Sequence, residues 1–328
     1  VSFSQKGIVG IGHVLLDGIG VASESYLLRY GNLQSPAHVS SGLMEEFLKA
    51  LEEDRSLLSA PMFWSAGGGI TIMGKASRAL GLEVDIWACI GNDARGDLLE
   101  NELTSLGIRF HSATSKKPTG IFCSLAISGG GKRIIVSPGA ARDIRGFNIP
   151  DEVFVPGKIL YIDGLLINSR QWLGELATKA KANDMKVAFD LSTPGNARRF
   201  AAEIVDFSTS CCDYVFANEE EFKALAPVLN CGSSSSTRWV VKRGSQGAYF
   251  IHGNSRIEAE ARKTEAVDDT GAGDAFAAGF LYGVLEGLDD MECLSMGNSA
   301  GSIAVNTRGS NFDSGKMRQT VEMARRIT

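Results

Sequence analysis

Residues 265–280 read EAVDDTGAGDAFAAGF. Three carboxylates, Asp268, Asp269 and Asp274, bracket Thr270 and two glycines, and an apolar run follows at once. That run, AGDAFAAGFLYGVLEGL, carries apolar residues nearly all the way round a helix, so the spacing predicts a buried one. Its small residues Ala275, Ala277, Ala278 and Gly279 allow close packing. The first turn of a helix exposes unpaired N–H groups and the positive end of the macrodipole. Gly271 and Gly273 let that backbone approach an anion, so the turn reads as a phosphate cradle with Asp274 held ionised beside it. The plainer alternative is a capped helix, with Asp269 or Thr270 as N-cap and Asp274 complementing the dipole.

Outward from this turn, short β-branched runs alternate with helical patterns. KGIVGIG, EVDIWACI, KILYIDGL, MKVAFDL, CDYVFAN and TRWVVKRG read as buried strands. Helical spacing is predicted over Leu43–Glu53, Ile70–Leu80, Ala94–Ser105, Gln171–Asn183, Ala197–Phe207 and Glu219–Ala226. Apolar strands separated by amphipathic helices imply parallel β-α-β units with both sheet faces covered. Two stretches break the rhythm. VLLDGIGVAS precedes any convincing helix, and IFCSLAISGGGKRIIVSPGA reads as a hairpin turning around Gly129–Lys132. Both suggest a small flap of strands outside the main sheet. CGSSSST, from Cys231 to Thr237, reads as an exposed loop.

VDDTGAGDAF resembles the Asp-x-Thr-Gly-Ala-Gly-Asp signature of the ribokinase-like, or pfkB, family of sugar and nucleoside kinases; Asp268, Thr270, Gly271, Ala272, Gly273 and Asp274 all match. The resemblance implies an α/β fold: a ribokinase-like three-layer α/β/α core with a mostly parallel sheet, plus a small β lid. It implies one kinase domain over residues 1–328, the lid formed by about 13–42 and 108–137. The Gly271–Gly273 backbone would form an anion hole for the transferred phosphoryl group, and Asp274 would take the acceptor's proton. ATP and Mg²⁺ are implied as co-substrate and metal, with K⁺ near Asp268 as a further family feature.

Other motifs agree. In VFANEEEF, Asn218 and Glu221 have the spacing of a capping box. The family uses Asn-x-x-Glu here to hold magnesium through water, which assigns Asn218 to the nucleotide and Glu221 to the metal. GIGHVLLDGI is read as a strand ending in Asp17, a carboxylate at the C-terminal edge of a parallel strand, where α/β proteins bind ligands; the resemblance makes it the acceptor-site aspartate. AGGGITIMGKASRALGL resembles the family's first signature through Gly67, Gly68, Leu80 and Gly81, but Ile72 stands in place of its Asn. His13 likewise replaces the Asn of the adenosine-kinase branch, which the N-terminal region otherwise resembles. KRGSQGA (Lys242, Gly244, Gly247) and GNSAGSIAVNTRGS (Asn298, Gly309) resemble the nucleotide-side loops, with Lys242 where many members have Thr.

The expected activity is therefore ATP-dependent transfer to a hydroxyl, a primary alcohol, of a sugar. An adenosine or ribonucleoside kinase and a non-catalytic nucleotide-binding pseudokinase are the alternatives. The net charge of −5 argues against a nucleic-acid surface. No apolar run is long enough to predict a transmembrane span, and the start, VSFSQKGIVGIG, does not read as a secretory signal. The six cysteines lack C-x-x-C spacing and the four histidines lack metal-ligand spacing. A cytoplasmic protein, monomeric or dimeric through the lid, is the expectation.

Overall fold

The computed structural model describes residues 6–30, 35–127, 130–145, 147–229, 236–261, 264, 269–307, 310 and 312–325. Among these, the strands in chain order begin with β1 (Gly7–Ile11), β2 (Leu15–Ala22), β3 (Ala37–His38), β4 (Phe63–Gly67) and β5 (Glu83–Gly91). They continue with β6 (Arg109–Ser115), β7 (Ile121–Ile127), β8 (Lys132–Ser137), β9 (Lys158–Asp163) and β10 (Lys186–Asp190). The last are β11 (Tyr214–Asn218), β12 (Arg238–Lys242), β13 (Ala248–His252) and β14 (Ser255–Ala259).

The larger sheet has the order β14-β13-β12-β11-β10-β9-β1-β5-β6. Every pairing from β12 to β6 is parallel, and β13 and β14 add an antiparallel edge. The alternation of side chains along each strand explains why both faces are covered. Ile8, Val84, Ile86 and Phe216 join a core with Ile70, Met73 and Phe280. Their neighbours Val9, Trp87, Leu160 and Val215 point the other way, into a second core with Leu173, Ile204 and Leu225. Each such side chain removed from water contributes about 1.5–3 kcal/mol. The result is the three-layer arrangement expected from the sequence.

The predicted helix over Ala197–Phe207 is two helices, Pro194–Arg199 and Ala201–Cys211. Thr193 starts the first by accepting the Asn196 N–H, with Pro194 in the first turn, and Phe200 (φ −122°, ψ 31°) leaves helical geometry between them. That Thr-Pro start signal lies upstream of the apolar periodicity and was hidden from it.

The smaller sheet has the order β3-β8-β7-β2-β4. The hairpin expected from sequence is the antiparallel pair β7–β8, although Ser128 and Gly129 of its turn lie outside the described residues. The sheet is mixed, since β2 runs parallel to β7 and antiparallel to β4. Helix Ser41–Glu53 covers it through Met44, Phe47 and Leu48, in a core with Tyr26, Leu125 and Ile135. This sheet takes in β4, whereas β6 pairs with β5 in the larger one.

Asp17 corrects the strand reading. It lies inside β2 of the smaller sheet, opposite Ser65, and not at the end of β1, which stops at Ile11. Gly12 and His13 interrupt the apolar run, and the chain leaves one sheet for the other there. Among the described residues no helix is long and apolar enough to cross a membrane. Most of the CGSSSST segment, with Cys231, lies outside the described residues.

Candidate active site

The helix after the glycine turn spans Ala272–Glu286, and Gly271 is its N-cap in a left-handed conformation (φ 76°) with no side-chain cap. The helix therefore starts from Gly271, and not from Asp269 or Thr270 as the N-cap of the capped-helix alternative. A Cβ at position 271 would come within 2.7 Å of Ile72 Cγ2, so both the positive φ and the packing demand glycine. Ile72 thus forms an apolar floor under the turn.

Two cavities open on either side of this turn. One, of ≈ 290 Å³, is lined by His13, Asp17, Gly68, Ile72, Asp163 and Asp274, with Leu15, Phe122 and Val136 as apolar wall. The other, of ≈ 700 Å³, is lined by Asn218, Glu221, Lys242, Gly244, Gly247 and Asn298, together with Ala272 and Gly273. Gly271, Asp274, Asp190 and Ser192 line both. The sequence-predicted residues are thereby gathered into two groups that meet at Asp274. Asp268 and Gly309 lie outside the described residues.

Asp274 sits in the first turn of its helix, yet its pKa is raised well above the carboxylate range. Burial is the main cause, reinforced by Asp190, Asp163 and Glu221; Lys242 opposes them. Burial and this crowd of acids act against the helix dipole, which the sequence reading expects to hold the aspartate ionised.

On the larger-cavity side, Lys242 Nζ donates to Asp190 Oδ2 at 2.8 Å. A Cβ on Gly273 would lie 3.3 Å from that ammonium, which places Lys242 beside the glycine turn. The capping box is present as read: Asn218 accepts the Glu221 N–H and Glu221 accepts the Asn218 N–H, each at 2.8 Å. Burial and then Asp190 push Glu221 up to about 7. Asn298 donates to the carbonyls of Ala259 and Glu260, so it shapes the loop after β14.

On the smaller-cavity side, Asp17 is 5% exposed and its Oδ1 has no hydrogen-bond partner among the described residues. A Cβ on Gly67 would fall 1.9 Å from the Asp17 carboxyl carbon, so only glycine admits the carboxylate there. Burial pushes Asp17 up to about 7, against the Lys75 ammonium and the Gly68 N–H. From the flap, Lys132 Nζ reaches across to Asp269 Oδ1 and Thr270 Oγ1, so the smaller sheet touches the glycine turn directly.

Asp163, Asp190 and Ser192 were missed in the sequence. Asp163 ends β9 and Asp190 ends β10, both at the carboxyl edge of the parallel sheet. The strand-end rule applied to Asp17 would have found them in KILYID and KVAFD. Ser192 gives no such signal.

A nucleotide-sized cavity and a smaller one joined at a buried acid and a helix N-terminus, on a ribokinase-like fold, define a phosphotransferase acting on an alcohol group. Residues 42–316 match the pfkB family of carbohydrate kinases, and the chain belongs to that family. It is 26% identical to the ribokinase of Lactococcus lactis over 232 residues, covering 69% of this chain and 74% of that one. Against the adenosine kinase of Saccharomyces cerevisiae the identity is 23% over 341 residues, with 94% and 98% covered. The crystal structure of adenosine kinase from Sinorhizobium meliloti superposes with a TM-score of 0.84 at 22% identity, covering 99% of this chain and 100% of that one. The structural likeness speaks for the fold.

Proposed function

We propose that this pfkB kinase uses ATP to phosphorylate a hydroxyl of a neutral sugar or ribonucleoside, with Asp274 as the base. The observation that carries this reading is the position of Asp274 on both cavities at once. ATP would occupy the larger cavity with its terminal phosphate at the Gly271–Gly273 amides, and the acceptor the smaller one. Phosphoryl transfer has a loose transition state, so alignment and charge neutralisation do most of the work.

The residues fit a divalent cation: Glu221, rigid in its capping box and pushed up to about 7 by burial, gains from positive charge nearby. Magnesium, when bound, would neutralise phosphate oxygens. The monovalent cation has only Asp268 to recommend it. Asp274 would accept the proton as the alcohol oxygen bonds to phosphorus, and Lys242 would limit the repulsion among the acids. The flap, through Lys132 on the glycine turn, would exclude water from the junction.

Among the described residues no lysine or arginine lines the smaller cavity, which favours an uncharged acceptor over a sugar phosphate. The apolar wall of Leu15, Phe122 and Val136 favours a ribonucleoside over a small free sugar, since a base can lie on it. The test is ADP release from Mg·ATP across neutral sugars and ribonucleosides. Acceptor-dependent release with at least one of them is expected. Silence across the panel, with ATP still bound, would make the protein a nucleotide-binding pseudokinase instead.

Asp17 adds a pH signature. Only its ionised form accepts hydroxyl protons from both oxygens. With its pKa at about 7, acceptor kcat/KM at saturating Mg·ATP should rise about tenfold between pH 6 and pH 8. Asp17→Asn should remove the share of that limb that Asp17 contributes, and a limb unchanged in the variant would assign the titration elsewhere.

A further inference from the structure

Asp163 turns its carboxylate toward His13. Oδ2 accepts the His13 backbone N–H at 2.9 Å and lies 3.2 Å from His13 Nδ1. Oδ1 accepts from Ser192 Oγ at 2.6 Å and from the Leu165 N–H at 3.0 Å. Burial alone would push Asp163 upward, but the bonds from His13 and Ser192 outweigh it and hold the group below the usual carboxylate range. An ionised carboxylate only accepts, so its contact with Nδ1 requires the proton to sit on Nδ1. In the neutral ring the lone pair is then on Nε2. Among the described residues nothing bonds Nε2, and the ring lines the smaller cavity alongside Asp17 and Asp274.

Ser192 supplies an independent sign that this array is held for a purpose. It is a non-glycine residue at φ 70°, a costly left-handed conformation. It is kept there by bonds to both strand-end acids, its Oγ to Asp163 and its N–H to Asp190 Oδ1 at 2.9 Å. The order Ser–Asp–His puts the acid in the middle, so Ser192 is a support for the carboxylate and not a nucleophile.

We propose that Asp163 and Ser192 lock His13 in its Nδ1-protonated tautomer, so that Nε2 selects the acceptor by taking a hydrogen bond from one of its hydroxyls. This rests on reading the smaller cavity as the acceptor site. An amide side chain at this place would both donate and accept; His13 in this state only accepts. Asp17 also only accepts when ionised, so the cavity asks its ligand for hydroxyl donors at two separate points. Among the described residues no lysine or arginine lines the cavity; Lys132 donates to Asp269 and Thr270, and Lys242 donates to Asp190. Its ligand is therefore a neutral molecule with at least two free hydroxyls, as a ribonucleoside has, and an analogue with a methoxy group or a carbonyl oxygen facing His13 is rejected. His13 is the specificity-determining residue and Asp163 its positioning residue.

The experiment is a two-bond ¹H–¹⁵N spectrum of the ¹⁵N-histidine-labelled full chain at pH 8, with His13 assigned by its loss in His13→Asn. A protonated δ1 and an unprotonated ε2 nitrogen are expected, with Asp163→Asn giving a mixture or the opposite tautomer. Adenosine, D-ribose and D-fructose are then added in turn. At least one should shift the ε2 resonance of the wild type upfield, as a lone pair does on accepting a hydrogen bond. For an acceptor that turns over, His13→Phe and Asp163→Asn should raise its KM at least tenfold while leaving the KM for ATP unchanged. An Nε2-protonated ring in the wild type, or an ε2 resonance unmoved by all three compounds, would overturn the proposal. Failure of the kinase reading shows up differently, as absent ADP release with the tautomer result intact.

Discussion

Asp274→Asn should lower kcat by about 10²–10⁴-fold, the usual worth of a positioned general base, while the KM values for ATP and acceptor change little. Asparagine keeps the shape and the hydrogen-bonding reach but cannot take a proton. The carboxylate is buried among Asp190, Asp163 and Glu221, so the same substitution relieves repulsion and should raise the melting temperature at pH 8. The sign follows from linkage. Asp274 has a folded-state pKa above its unfolded value, so folding is favoured while the group is protonated and is opposed as pH rises through the folded value. A variant more stable and nearly inactive would separate the residue's chemical role from its structural cost. Turnover within a few-fold of wild type would end its assignment as the base.

Lys242→Met carries the opposite balance. Its ammonium is the cation held at 2.8 Å by Asp190 and also felt by Glu221 and Asp274. Burial opposes its charge, but these acids outweigh burial and raise its pKa. A raised lysine contributes stability that is fully present below its ordinary value and lost only as pH rises through the folded one, so the contribution is intact at pH 8. Removing one partner of a buried charged network costs about 3–5 kcal/mol. For a chain of this size that lowers Tm by roughly 4–7 °C. The loss should shrink at pH 5, where Glu221, pushed up to about 7, has taken up its proton. Calorimetry at the two pH values checks this, and an equal Tm for variant and wild type at pH 8 would remove Lys242 from the network. Activity should fall as well, because the ammonium lies beside the glycine turn.

The local elements were legible wherever a single strand or turn carries its own signal. The apolar runs before Asp163, Asp190 and Asn218 announce strands buried on both faces, and their alternation decides which residue joins which core. The capping box at Asn218 and Glu221 was readable because both partners lie within one helical turn. The glycine turn was readable because its positive φ and close approach admit no other residue at 271. Asp17 shows the limit of such reading. Its run of apolar neighbours looks like the end of the first strand, and nothing in the local pattern says that the chain changes sheets at Gly12 and His13.

Sequence by itself thus determined the family, the parallel core, the flap and the residues at the glycine turn, because each depends on periodicity or on contacts a few positions apart. Tertiary structure decided the rest. It alone brings Asp163 and Ser192, 29 residues apart in the chain, onto His13 from 150 residues away. It alone buries Asp274 and collects Asp190 and Glu221 near it around one lysine, an arrangement that pushes the Asp274 carboxyl upward against the pull of the helix N-terminus. Charge, burial and tautomer are set by what surrounds a group in space, and at this site those surroundings come from strands that the sequence keeps far apart.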